Sequence, residues 1–242
     1  MRNKKPFSFA PFTVVYEDDD IIAVNKASGI SVGGDRWDES KERLDRLVAE
    51  KIFIVHRIDK ETSGLVVFAK NETAHRRLSL SFQENNIKKR YIAIVHGRPS
   101  WKETVCDLPL VPNGNKKHQT IIDKYNGKKS LTKFVFTKSA GNYSILEALP
   151  ETGRTHQIRV HAAALGFSIV CDSLYGREKP VFLSAIKRNW RGDPLEEKPL
   201  LSRLGLHASD LLIPATDTAC PLELHAPLPR DMAALIKQMS KS

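Results

Sequence analysis

Two short apolar runs, Ile52-Phe53-Ile54-Val55 and Leu65-Val66-Val67-Phe68-Ala69, enclose the polar stretch His56-Arg57-Ile58-Asp59-Lys60-Glu61-Thr62-Ser63-Gly64. Both runs are rich in β-branched or aromatic residues and read as buried strands. A chain with this pattern must hold a charged loop between two strands of one core, and such a loop is a rigid platform for chemistry. The loop carries an imidazole, a guanidinium and a carboxylate within four residues. Arg57 and Asp59 are two apart, so an extended backbone points them to the same side. A surface ion pair in a turn is the competing reading. The apolar brackets and a second arginine-bearing motif further along weigh against it.

The charge balance narrows the partners. Of 242 residues, 38 are Lys or Arg and 28 are Asp or Glu, a net charge of +10. Such an excess suits a polyanion, nucleic acid before membrane. Cys106, Cys171 and Cys220 are scattered and form no C-x-x-C pair. They argue against a disulfide framework or a zinc site and fit a reducing, cytoplasmic compartment. The start of the chain has Arg2, Lys4 and Lys5 but no apolar h-region, so no secretory signal is expected. No run has the length of a membrane span.

Taken in order, Thr13–Tyr16 and Ile21–Val24 predict a hairpin around Glu17-Asp18-Asp19-Asp20, whose consecutive carboxylates read as a solvated turn rather than a metal site. Asn25-Lys26-Ala27-Ser28-Gly29 reads as a turn. Glu39–Lys51 and Glu72–Glu84 predict helices. Lys88–Gly97 predicts a strand with a basic entry, with Tyr91, Ala93 and Val95 on one face and Ile92 and Ile94 on the other. Tyr91 is either a core tyrosine or, following three cations, a surface for base stacking. Thr104–Leu108 predicts a short strand and Pro109–Gly127 a loop-rich segment. Ser130–Thr137 and Tyr143–Leu149 alternate as an antiparallel pair.

In Glu151–Gly166, Thr155 is a candidate helix N-cap and Gly166 a C-terminal stop. Arg154, Ile158 and His161 then share a face. His156 and His161 are five apart, about 140° around a helix. That suits hydrogen-bonding or structural histidines rather than two ligands of one metal. The polar segment 177–203 reads as an insertion, with Trp190 among cations either stacking on RNA or pinning the loop. Leu206–Ile213 predicts a strand and Arg230–Met239 a last helix.

Four segments in this order resemble the RluA-type family of RNA pseudouridine synthases: the hairpin ending Val24-Asn25-Lys26-Ala27-Ser28-Gly29; His56–Leu65 followed by Lys89-Arg90-Tyr91; Thr152–His161 followed by Asp172-Ser173-Leu174-Tyr175-Gly176; and Leu206-His207-Ala208 with Ala226-Pro227-Leu228-Pro229. The second and third are long and specific. The sequence departs from the family pattern at Cys171, where a glycine is usual, and in the length of the segment after Gly176.

The resemblance implies an α+β fold: a mixed, mainly antiparallel sheet flanked by helices, with a central RNA-binding cleft. It implies one catalytic domain over 1–242, ordered from about 13 to 240, without an S4-like module at its start. The activity implied is isomerisation of specific uridines to pseudouridine in ribosomal or transfer RNA. That reaction is redox-neutral and takes no group from outside, so no cofactor and no metal is expected. The essential carboxylate maps to Asp59, which either attacks the sugar carbon or removes a sugar proton. Arg154 maps to its counter-ion, Arg57 to a nearby cation that contacts RNA or holds the loop, and Tyr91 to the tyrosine that stacks on the target base. A monomer without an obligatory protein partner is expected. A non-catalytic RNA-binding protein would account for the charge but not for a sequestered carboxylate between arginines. A metal-dependent hydrolase would account for eight histidines but not for their spacing.

Overall fold

The computed structural model describes residues 10–34, 43–48, 51–115, 119–187, 189–215 and 220–241. In chain order the strands are β1 Phe12–Glu17, β2 Ile21–Lys26, β3 Phe53–Ile54, β4 Ser63–Ala69, β5 Lys88–His96, β6 Glu103–Cys106, β7 Leu110–Val111, β8 Ile121–Ile122, β9 Thr132–Ala140, β10 Tyr143–Pro150, β11 Leu206–Ile213 and β12 Leu222–His225. The helices are α1 Leu44–Val48, α2 Glu72–Gln83, α3 Gln157–Ala164 and α4 Arg230–Met239. Ten strands form one sheet in the order β1-β2-β4-β11-β5-β10-β9-β6, with β3 on β4 and β12 on β11. All its strand pairs are antiparallel except β4 with β11. The expected α+β fold with a mixed, mainly antiparallel sheet is the observed one.

Alternation places the helices. On β4, Leu65, Val67 and Ala69 pack with Ala74 and Leu78 of α2, while Val66 and Phe68 pack with Leu44 of α1. On β5, Ala93 and Val95 meet Ile158 and Ala162 of α3, and Ile94 meets Met232, Leu235 and Met239 of α4. A period of two sends successive side chains to opposite faces, so both faces are covered and β4 is buried throughout. The acidic turn is closed by Asp18, whose Oδ1 accepts the N–H groups of Asp20 (2.8 Å) and Ile21 (2.7 Å). Asp20 pairs with Arg77 of α2 at 3.0 Å.

Several expectations shift. Of the predicted helix Glu39–Lys51, 39–42 and 49–50 lie outside the described residues, and the helical part is α1. The run Ile52–Val55 yields only the two-residue, partly buried β3. The strand predicted over Thr104–Leu108 is β6, ending at Cys106. The segment 109–127 holds the small β7–β8 pair, with 116–118 outside the described residues. The insertion 177–203 has neither helix nor strand among its described residues, yet it is packed. Its Val181, Ile186 and Leu201 are buried in the cluster of α4. Trp190 lies on its own loop, where a Cβ at Gly192 would come within 2.3 Å of the ring.

The parallel β4–β11 seam, His207 to Ser63 and Ala208 to Gly64, joins the two halves of the sheet. It demands glycine at position 64. There φ is +116° and a Cβ would lie 2.2 Å from the Ala208 carbonyl oxygen. Beside it, buried His207 pairs its Nδ1 with the Ser63 hydroxyl at 3.0 Å and its Nε2 with the Ala226 carbonyl at 3.2 Å. Burial pushes the His207 pKa down to about 4 against the opposing bond to Ala226.

Gly64→Ala is expected to cost at least about 2 kcal/mol, through overpacking and a disfavoured φ; urea denaturation measures it. His207 in the unfolded chain takes a proton near pH 6.5, whereas the folded chain resists until about pH 4. Its contribution is therefore full above pH 6.5 and lost as pH falls toward 4. His207→Gln is expected to flatten the acid limb of a stability–pH curve over that window, whatever it does at neutral pH.

Candidate active site

The loop 56–62, between β3 and β4, is held from three sides. On the helix side, the His56 ring stacks on Phe82 at 4.3 Å and its Nε2 accepts the Val67 N–H at 2.9 Å. That bond requires an unprotonated nitrogen. Burial, with Lys89 adding to it, pushes the His56 pKa down to about 3. In the core, Ile58 packs with Val24, Val66 and Phe68. From behind, the turn after β2 grips the loop. The Lys26 Nζ donates to the carbonyls of Ala27 and Lys60 (both 2.9 Å), Gly29 N donates to Lys60 O (2.8 Å) and Ser28 Oγ to Glu61 O (2.6 Å). Lys26 is only 1% exposed. Burial draws its pKa down to about 7 while Glu61 and Asp59 oppose the shift. The expected turn 25–29 thus begins on the last residues of β2 and carries a buried lysine that its sequence does not signal.

Asp59, with 23% of its side chain exposed, faces a pocket of about 480 Å³. Arg57, Tyr91 and Arg154 line the same pocket, so all four sequence-derived site residues converge. Lys89 and Arg159 add two more cations, and Ile58, Phe82, Ile158 and Leu206 give it apolar walls. Burial, and then the Asp59 charge, push the Tyr91 pKa up, which keeps its hydroxyl protonated at neutral pH.

The expected counter-ion is corrected. The guanidinium beside Asp59 belongs to Arg159, 3.6 Å from its Oδ2, whereas Arg154 donates from Nε to the Lys129 carbonyl at 3.1 Å. The cause is local. His156 adopts a left-handed conformation (φ 54°, ψ 17°), so α3 begins at Gln157 rather than at the expected Thr155 cap. Arg154 is left in the preceding turn, and Arg159 falls in the first turn of the helix. Gly166, at φ +87°, ends the helix as expected.

Arg159 is 4% exposed, and a buried charge must be fully paired. Asp172, itself 1% exposed, takes it bidentately at 2.8 and 2.7 Å. Asp172 also accepts the N–H groups of Leu174 (2.9 Å) and Tyr175 (3.1 Å). Burial would raise the Asp172 pKa, but the Arg159 bonds and charge, with those N–H groups, bring it below the ordinary value. The Tyr175 ring lies 5.2 Å from the Arg159 Cζ, and its hydroxyl meets His156 Nδ1 and Thr120 N, both at 2.8 Å. His161 bonds Thr132 and the Leu108 carbonyl, so both histidines of this motif are hydrogen-bonding groups, as their spacing implied.

Residues 20–164 match the family model described as RNA pseudouridylate synthase. The chain is 33% identical over 242 residues to ribosomal large subunit pseudouridine synthase D of Zymomonas mobilis, covering 95% of this chain and 73% of that one. It is 35% identical over 227 residues to an uncharacterized RNA pseudouridine synthase of the same organism, covering 90% and 94%. Among solved structures, human RNA pseudouridylate synthase domain containing 1 superposes with a TM-score of 0.71 at 26% identity, covering 99% and 98%.

Asp172→Asn removes half of a buried ion pair and leaves Arg159 with Asp59 alone. It is expected to lower unfolding stability by about 3 kcal/mol, measured by urea titration at neutral pH.

Proposed function

The chain belongs to the RNA pseudouridylate synthase family, and from that premise we propose that it isomerises specific uridines of ribosomal or transfer RNA, with Asp59 as the essential carboxylate. The enzyme is an RNA pseudouridine synthase, an isomerase. The observation that carries the assignment of Asp59 is its place on the wall of a cationic pocket with the Arg159 guanidinium 3.6 Å away.

In the reaction the bond from N1 to the sugar breaks, the base turns, and C5 joins the same sugar carbon. A proton leaves C5 and one is taken up at N1. Asp59 acts as an anion whether it attacks the sugar carbon or removes a sugar proton. Arg159, held by Asp172, supplies a fixed opposite charge that needs no rearrangement as the reaction proceeds. The target base must first leave its stack, at a cost of a few kcal/mol. The Tyr91 ring offers it a new stacking partner. Arg57 and Arg154, with Lys89, engage the flanking phosphates. The relatives named for the ribosomal large subunit make large-subunit ribosomal RNA the first target to test. The same reading has one catalytic domain over 1–242, its core from about 13 to 240, act as a cytoplasmic monomer without an obligatory protein partner.

Asp59→Ala is expected to cut tritium release from RNA carrying C5-tritiated uridine by at least about a thousandfold, about 4 kcal/mol of transition-state stabilisation. RNA affinity should stay within a few-fold of wild type. Retained turnover would remove Asp59 from its role. Pseudouridine mapping in ribosomal and transfer RNA from cells with and without the gene identifies the target.

A further inference from the structure

A tyrosine usually buries its ring and leaves only the hydroxyl wet. Tyr125 does the opposite: it is 97% exposed, at the tip of the turn that follows β8. The turn is built to hold it there. Asp123 Oδ1 accepts the N–H groups of Tyr125 (2.9 Å) and Asn126 (3.0 Å), and its Oδ2 accepts the Asn126 side-chain amide at 3.1 Å. Gly127 N donates back to Asp123 O at 2.9 Å. No side chain fits at Gly127, where a Cβ would lie 2.3 Å from that same carbonyl. Below the turn, Leu110 and Lys128 exchange two backbone bonds of 3.0 and 2.9 Å. The carboxylate of the turn is thus occupied internally, while Lys124, Lys128 and Lys129, within four positions of Tyr125, are exposed.

The turn is joined to the candidate active site at two points. Lys129 O receives the Arg154 guanidinium at 3.1 Å, and Thr120 N donates to the Tyr175 hydroxyl at 2.8 Å. Lys129 lies four positions after Tyr125, a reach of at most about 14 Å. A strand leaving the pocket past Arg154 therefore meets the turn within a few nucleotides. A flat exposed ring on an ordered turn, in a stretch with three exposed lysines, matches the chemistry of an unpaired base between two phosphates.

We propose that Tyr125 is a stacking platform for an unpaired base of the RNA near the target uridine, with Lys124, Lys128 and Lys129 on the adjoining phosphates. The proposal rests on the RNA-modifying reading above. Because the backbone of the turn is already ordered, only the rotation of the ring is lost on stacking, and the contact helps to offset the unstacking of the target.

The test uses the full chain with two probes: a fluorescent 12-nucleotide oligouridylate for binding, and a large-subunit ribosomal RNA transcript with C5-tritiated uridine for turnover. Tyr125→Ala is expected to weaken oligouridylate binding about tenfold and to raise KM on the transcript by a similar factor, with the loss falling on KM rather than kcat. Tyr125→Phe and Tyr125→Trp, which keep a flat ring, should stay within about twofold of wild type. Replacing Lys124, Lys128 and Lys129 together by Ala should reduce the log–log salt slope by roughly 2. Tyr125→Ala binding like wild type would overturn the platform, and so would Phe and Trp variants as weak as Ala. Tritium release absent from the wild type would overturn the catalytic reading instead, leaving oligouridylate binding to judge Tyr125.

Discussion

The two-sided pairing of Arg159 is the constraint on which the site depends. A guanidinium taken out of water must be matched by carboxylates, and the pair is stable only if every remaining donor and acceptor is also used. Asp172 meets that demand in the plane of the fork, with its own lone pairs filled by the N–H groups of Leu174 and Tyr175. The remaining face of the guanidinium is covered by the Tyr175 ring. What is left over, directed at the pocket, is the positive charge that meets Asp59. The carboxylate facing solvent and the carboxylate in the core thus share one cation, and only the first lines the pocket.

The loop that carries Asp59 is fixed mainly by backbone carbonyls rather than by ion pairs. Lys26 spends its ammonium on two of them, and His56 spends its basic nitrogen on a strand N–H. Both groups are thereby held in roles that their usual solution chemistry would not suggest. The parallel β4–β11 seam adds the close approach that only Gly64 permits. The seam and the end of β10 that leads to α3 both lie near Tyr91 of β5, which gathers the loop, the seam and the helix start beside one another.

Much of this was legible beforehand. The β-branched run of β4, the alternation of β9 and β10 and the split faces of β5 follow from periodicity and burial. The convergence of Arg57, Asp59, Tyr91 and Arg154 on one pocket agrees with the family resemblance. The choice of Arg159 over Arg154 was not legible, because it turns on a left-handed residue at His156, and although histidine is over-represented in that conformation most histidines still have negative φ. Asp172 and Tyr175 escaped assignment because pairs formed across 13 and 16 positions leave no periodic trace. Lys26 escaped because a lysine in a turn is ordinarily solvated, and only the three-dimensional placing of the Lys60 carbonyl makes it otherwise.

Cys171 stands where the family pattern has glycine, and it keeps the left-handed backbone that glycine would adopt, at φ +57°. Its thiol lies against the carbonyls of Lys179 and Leu201, at 3.3 and 3.6 Å, at either end of the long insertion. The next residue is Asp172. The insertion is therefore moored one peptide unit from the clasp on Arg159, so its packing and the placing of Asp172 are mechanically linked although none of its described residues lines the cleft.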